Sequence, residues 1–248
     1  MIPIRCHSLG LIMTEPRSID PQYLVGEIAV IAKKKVKTEE DKAILQPYFD
    51  MSLSAGAKTE LKGIAKEFVY GYHKVVTTKF MEKGIQVEDT SIELLNNVFY
   101  KDFKKNKIRK QDELLSGEID IDDEAGDQII DTKSSWDLST FPAFVEDCHD
   151  PIYEWQMRGY MRLWKRSKAT VAFTLVDTPE ELIKYEQKDL HEVSHIPPHM
   201  RVTAIQYTRD MELERKIEVK VRAAQEFIAN MVAQISLDHK HEEIMEAA

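Results

Sequence analysis

Apolar residues recur at helical spacing through 22–32, 43–49 and 57–72, with polar breaks between, so the first 75 residues read as mainly helical. The pattern changes at Gly84. A helix is predicted over about 84–98, then a basic segment, then two strand-like runs, 117–122 and 127–134, around Asp123-Glu124-Ala125-Gly126, which together signal a β-hairpin. Pro151 stands where a helix start tolerates it, and a helix follows through Gln156 and Tyr160. Thr170–Val176 predicts a strand, 179–189 a helix, Val202–Thr208 a strand and 210–236 a closing helix. The fold class is therefore α/β, a central mixed β-sheet flanked by helices. One domain is expected over 1–248, with a helical N-terminal part to 75, a core over 84–208 and the closing helix.

Within this pattern some carboxylates occupy positions where apolar residues are expected. Ile85, Glu88, Ile92, Leu95 and Phe99 follow steps of three and four and share one helical stripe, which turns Glu88 toward the core. An ionised carboxylate there costs several kcal/mol, by rough estimate, unless a metal ion, a Lys or an Arg meets it. On the second hairpin strand Asp131 and Lys133 share a face and Thr132 points away. With an even-numbered hairpin loop Asp120 projects from that same face, while Ile119, Ile121 and Ile130 lie largely on the other. Glu88, Asp120 and Asp131 suit a hard divalent cation, which takes oxygen ligands. On the helix after Pro151, Gln156 and Tyr160 are aligned with Ile152 and Leu163, an amide within an apolar stripe.

Charge and composition narrow the classes. The net charge of −9 argues at first against a nucleic-acid partner, but the cations are clustered: Lys33-Lys34-Lys35-Val36-Lys37, Lys165-Arg166-Ser167-Lys168, and six of the ten residues from Lys101 to Lys110. Cys6 and Cys148, the only cysteines, exclude a disulfide framework and a four-cysteine cluster. No stretch approaches the ~18 apolar residues of a membrane span, so a cytoplasmic protein with no membrane partner is expected. A zinc protein built on His195, His199, His239 or His241 is disfavoured, because two prolines separate the first pair and the second lies in a polar tail.

Taken in order, Gly84-Ile85-Gln86-Val87-Glu88, Gly117-Glu118-Ile119-Asp120, Ile130-Asp131-Thr132-Lys133 and Gln156-Met157-Arg158-Gly159-Tyr160 resemble the PD-(D/E)XK nucleases, and more narrowly the lambda-exonuclease-like phage exonucleases. The resemblance covers about 84–165 and implies a restriction-endonuclease-like core. It implies a Mg²⁺- or Mn²⁺-dependent DNA exonuclease of phage-type recombination or repair, with one or two ions held by Glu88, Asp120, Asp131 and the Thr132 carbonyl. Lys133 would orient the attacking water, Gln156 would hold Lys133 or the phosphate, and Tyr160 would support the helix. In RecB-type relatives a His precedes the hairpin, and His73 is the candidate, but GxxxE already supplies that ligand.

The segment from Ser8 resembles the part of lambda-type enzymes that grips a terminal phosphate; there an Arg leads, here Ser8 does, and Arg5 or Arg17 is the available guanidinium. Lys104, Lys105, Lys107 and Arg109 are the candidates to line the DNA path. The expected partners are linear duplex DNA, further copies in a trimer and a single-strand annealing protein. An endonuclease and a non-catalytic DNA-binding protein on the same scaffold are the alternatives.

Overall fold

The computed structural model describes residues 1–246, with side chains through residue 239; His241 lies outside the latter. Its helices are α1 Leu9–Ile12, α2 Gly26–Ala32, α3 Glu39–Met51, α4 Ala55–Tyr70, α5 Lys79–Gln86, α6 Glu88–Phe99, α7 Pro151–Trp164, α8 Glu180–Ile183 and α9 Met211–Glu246. Its strands are β1 Ile4–Arg5, β2 Arg109–Gln111, β3 Leu115–Glu118, β4 Ile121–Asp123, β5 Gln128–Ser134, β6 Lys168–Thr174 and β7 Val202–Thr208. They form two compact units, one of residues 1–74, 112–115 and 211–246, the other of 75–111 and 116–210.

The first unit is helical. Thr38 starts α3 with a reciprocal cap to Asp41, Ser54 caps α4 through the Ala57 N–H, and Gly71, at φ 64°, ends α4 in the left-handed region. α4 packs on α1 and α9. α2 packs on α3 around a cluster of Ile19, Ile31 and Leu45. Lys220 of α9 is buried and donates to the Phe49 and Ser52 carbonyls, at 3.2 and 2.7 Å, which ties the end of α3 to α9. α9 outruns the expected 210–236 because neither Gly nor Pro interrupts the residues that follow.

The second unit is built on a four-stranded mixed sheet in the order β4-β5-β6-β7. β5 and β6 are parallel and joined by α7; the outer pairs are antiparallel. In the β4–β5 hairpin Ile121 faces Ile130, and both enter a core with Ile92, Leu95, Phe103 and Ala172. Gly126 lets the Asp123 carboxylate lie against the turn, where it accepts from the Gly126 N–H at 3.0 Å; a Cβ at 126 would make that carboxylate shift. α7 starts on Pro151 with the Asp150 side chain accepting from the Ile152 N–H at 2.7 Å. β2 pairs antiparallel with β3, Lys110 opposite Gly117.

Several expected elements are divided. The helix over 84–98 is two, α5 and α6, broken at Val87, and Ile85 is 71% exposed. Glu88 therefore opens α6 at a wet edge rather than lying in a buried stripe. The strand over 117–122 is also two, because Asn106 takes the carbonyls between them: its N–H donates to Asp120 O at 2.6 Å and its Nδ2 to Ile119 O at 2.9 Å. Over 179–189 only α8 and a 3-10 turn form, since Lys184 adopts φ 56°. Ile152 on α7 is 44% exposed and stands apart from the buried Gln156, Tyr160 and Leu163.

Candidate active site

β5 carries the site. Its two-residue alternation sends Ile130 into the core and Asp131 and Lys133 to the opposite face. Asp131 is buried, and the Lys133 ammonium lies 2.6 Å from its Oδ2. That contact has the separation of an ion pair but not the direction of a hydrogen bond, so Oδ2 remains shielded from water without a hydrogen-bond donor. Burial foremost lifts the Asp131 carboxyl to a pKa of about 6, Lys133 opposing it and the Asp120 and Glu88 charges adding to it. Burial works against the Lys133 ammonium, but Asp131, with Asp120 and Tyr153, outweighs it and raises its pKa. The ammonium also rests 4.7 Å from the centre of the Tyr153 ring, at the first turn of α7.

Asp120, released from the ladder by the Asn106 break, turns its Oδ2 to the Thr132 N–H at 2.6 Å and the Thr132 hydroxyl at 2.8 Å. Glu88 accepts from the Lys105 ammonium at 2.6 Å. α6 is held over the sheet by a hydroxyl chain, with Ser91 2.9 Å from Ser134 and Thr174 donating to Ser91 at 3.0 Å. Glu88, Asp120, Thr132 and Lys133 thus border one cleft of about 610 Å³, walled by Phe80, Trp136 and Tyr153, with Asp131 buried beside Lys133.

Glu88 and Asp120 border the cleft and Asp131 is buried beside it, and the three carboxylates do not meet at one point. Among the described residues, the trio whose donor atoms all lie within 4.8 Å of one another is Asp137, Glu186 and His191. In the cleft, Lys105 holds Glu88 and Thr132 holds Asp120. The Lys105 pair is half-exposed, and such pairs contribute at most about 1 kcal/mol, so this contact is exchangeable. An all-oxygen donor set that includes a buried, unsatisfied Oδ2 fits a hard divalent cation such as Mg²⁺ or Mn²⁺.

The remaining sequence candidates divide. Gln156 is buried and donates to the Tyr160 hydroxyl at 3.2 Å, and neither lines the cleft. Lys104 pairs with Asp102, Arg109 stands 3.9 Å from Glu118, and Lys107 is exposed. Arg5, Ser8 and Arg17 do not form one phosphate pocket. Arg5 is paired with Glu67 at 2.6 Å and buried Ser8 donates to Glu60 at 2.9 Å, while Arg17 borders a cavity, with Lys33 and Lys37, that neither lines. His73 sits 3.2 Å from the same Glu67. Lys105, expected on the DNA path, pairs with Glu88 instead. Tyr153 and Asn106 are additions from the structure; Tyr153, three residues before Gln156 in the motif helix, is the one that spacing could have found.

No protein-family model matches the chain, and no curated protein does. Solved structures do. A phage related exonuclease from Haemophilus somnus 129PT is 30% identical, with 94% of this chain and 96% of that chain covered and a TM-score of 0.77. The chain belongs to the lambda-exonuclease-like family of phage exonucleases. The alkaline exonuclease of Laribacter hongkongensis has the same fold at 15% identity, with a TM-score of 0.57 over 79% of this chain and 90% of its own. Its complex with dAMP aligns at 14% identity and a TM-score of 0.60, over 98% of this chain and 94% of its own. In this fold α6 and the β4–β5 hairpin bring Glu88, Asp120 and Lys133 to one cleft.

Proposed function

We propose that the chain is a divalent-metal-dependent exonuclease that hydrolyses phosphodiester bonds of linear DNA. The observation that carries this reading is the buried Asp131 paired with Lys133 beside a cleft that Glu88 and Asp120 also border. Membership of an exonuclease family supports it. Glu88, Asp120, Asp131 and the Thr132 carbonyl are the residues that would hold one or two Mg²⁺ or Mn²⁺ ions. When bound, such an ion makes water a nucleophile at neutral pH and neutralises charge on the phosphate oxygens. Lys133, steadied by Asp131 and the Tyr153 ring, orients the attacking water and places positive charge where the transition state gathers negative charge. Gln156 and Tyr160, bonded to each other within α7, support that helix beneath Tyr153. The exposed Lys104, Lys107 and Arg109 give the DNA a cationic path despite the net charge of −9.

Incubation of end-labelled linear duplex with Mg²⁺ is expected to release mononucleotides, with EDTA stopping the reaction and Mn²⁺ or Mg²⁺ restoring it. Comparing duplexes with and without a 5′ phosphate reads polarity in the same gel. Covalently closed circular DNA is expected to survive; its cleavage would establish an endonuclease instead, and turnover in EDTA would remove the metal from the reading.

Asp131 sets a pH dependence. Its carboxyl, raised to about 6, binds a proton in competition with the metal. Below that pH the Mg²⁺ concentration for half-maximal cleavage should rise by about tenfold per unit, and above pH 7 it should level off. A requirement for Mg²⁺ that is flat down to pH 5 would count against Asp131 as a ligand.

A further inference from the structure

We infer that Asp137, Glu186 and His191 form a second metal site, separate from the nuclease cleft, that takes a borderline transition cation such as Zn²⁺. The three donor atoms lie within 4.8 Å of one another. His191 is 1% exposed, and its hydrogen bonding fixes its tautomer. The Thr178 hydroxyl gives its only proton to the Trp136 carbonyl, at 2.9 Å, yet also meets His191 Nδ1 at 3.0 Å. With the proton so placed, Nδ1 donates to the Thr178 hydroxyl, which in the neutral ring leaves Nε2 as a bare lone pair.

That lone pair is buried, has no hydrogen-bond partner and stands 3.6 Å from Glu186 Oε2. A bare Nε2 and a carboxylate oxygen at this distance repel unless a positive charge, a metal ion or a proton on Nε2, lies between them, and the metal titration below separates the two. Tetrahedral zinc with ligands at 2.0–2.1 Å spaces its donors about 3.4 Å apart, close to the separation seen. The hydrogen bonds to the Asp137 carboxylate, from Ser139 and the Thr140 N–H, both reach Oδ1. Trp136 Nε1 donates to Glu186 Oε2 at 2.8 Å and Lys79 pairs with Oε1; each carboxylate oxygen retains a lone pair. One imidazole and two carboxylates are a donor set for zinc with a position left for water. The ion would clamp the segment after β5 to the segment before β7. It would also fix Trp136, which walls the cleft and packs edge-on against His191 at 5.2 Å.

The test uses the full chain carrying Asp120→Asn and Asp131→Asn, so that cleft ligands are removed, stripped by chelator and titrated with Zn²⁺ by calorimetry. One equivalent is expected to bind, and crystals grown with Zn²⁺ should show an anomalous peak among the three side chains. Adding His191→Gln or Glu186→Gln should weaken binding by at least about tenfold, the loss seen when even an outer-shell partner is removed. Glu186 is 37% exposed, so Glu186→Gln decides the matter should the buried His191 variant fail to fold. No bound equivalent, a peak elsewhere, or affinity unchanged in Glu186→Gln would overturn the site. Because two of the cleft carboxylates are absent from this protein and only zinc binding is read, none of these results bears on the proposed nuclease activity.

Discussion

Lys133→Ala is expected to lower DNA cleavage by at least about 10³-fold, since a group that stabilises charge or moves a proton in the transition state typically contributes 10²- to 10⁴-fold. The substitution also removes the counter-ion of Asp131, which lies 2.6 Å away and is buried. The Asp131 carboxyl should then rise above its present value of about 6 and bind metal less readily at neutral pH. The two consequences separate at pH 8.5 with saturating Mg²⁺, where the carboxylate is ionised and only the missing ammonium is felt. A defect that persists there belongs to Lys133 itself, whereas recovery to within a few-fold of wild type would reduce Lys133 to a partner for Asp131. Asp120→Asn is the companion. Its amide oxygen can still accept from the Thr132 N–H and hydroxyl, so the fold should hold while cleavage is lost. Undiminished cleavage by either variant would reject the assigned chemistry.

The β-strand part of this site was legible in the sequence because period-two alternation is a local property. Asp131 and Lys133 stand on one face of β5, with Ile130 on the other, as their spacing requires. The helical part was less so. Steps of three and four run unbroken from Ile85 to Phe99, yet Val87 leaves helical geometry at φ −104°, ψ 10°, and Ile85 is exposed. No propensity marks that break. The spacing marks Glu88 as a carboxylate in need of a cation, and in the structure it meets Lys105, seventeen residues on, whose approach depends on how the basic segment runs back past Asn106. Long-range hydrogen bonds of this kind decide where a continuous strand pattern divides at Asp120, and they leave no spacing signal. The same holds for Asp137, Glu186 and His191, which sit in irregular segments and meet only through tertiary packing.

Lys83→Met is expected to destabilise the nuclease unit by about 2–4 kcal/mol and to lower its melting temperature by about 5–15 °C. Lys83 is fully buried on α5, and its ammonium donates to three carbonyls: Ser135 at 2.7 Å, Trp136 at 2.9 Å and Val176 at 3.0 Å. These carbonyls follow β5 and β6, so one side chain ties α5 to both loops behind the cleft. Methionine fills the same space but donates nothing. Trp136 O keeps Thr178, whereas Ser135 O and Val176 O lose this donor, and an unsatisfied buried acceptor costs roughly 1–3 kcal/mol. The ammonium itself is under strain from burial, which lowers its pKa to about 8, Asp137 and Asp177 opposing the shift. Between pH 8 and the unfolded value of 10.5 the unfolded chain therefore holds more protons at this position, and this group adds stability as pH rises through that window. Thermal melts followed by near-ultraviolet circular dichroism at pH 7.5 and 9.5 check both statements. The variant should melt lower at each pH, and the stabilising contribution of residue 83 on going alkaline should be present in wild type and absent in Lys83→Met. Equal melting temperatures would mean that the three hydrogen bonds merely balance the burial of the charge, and an equal pH response would place the titrating group elsewhere.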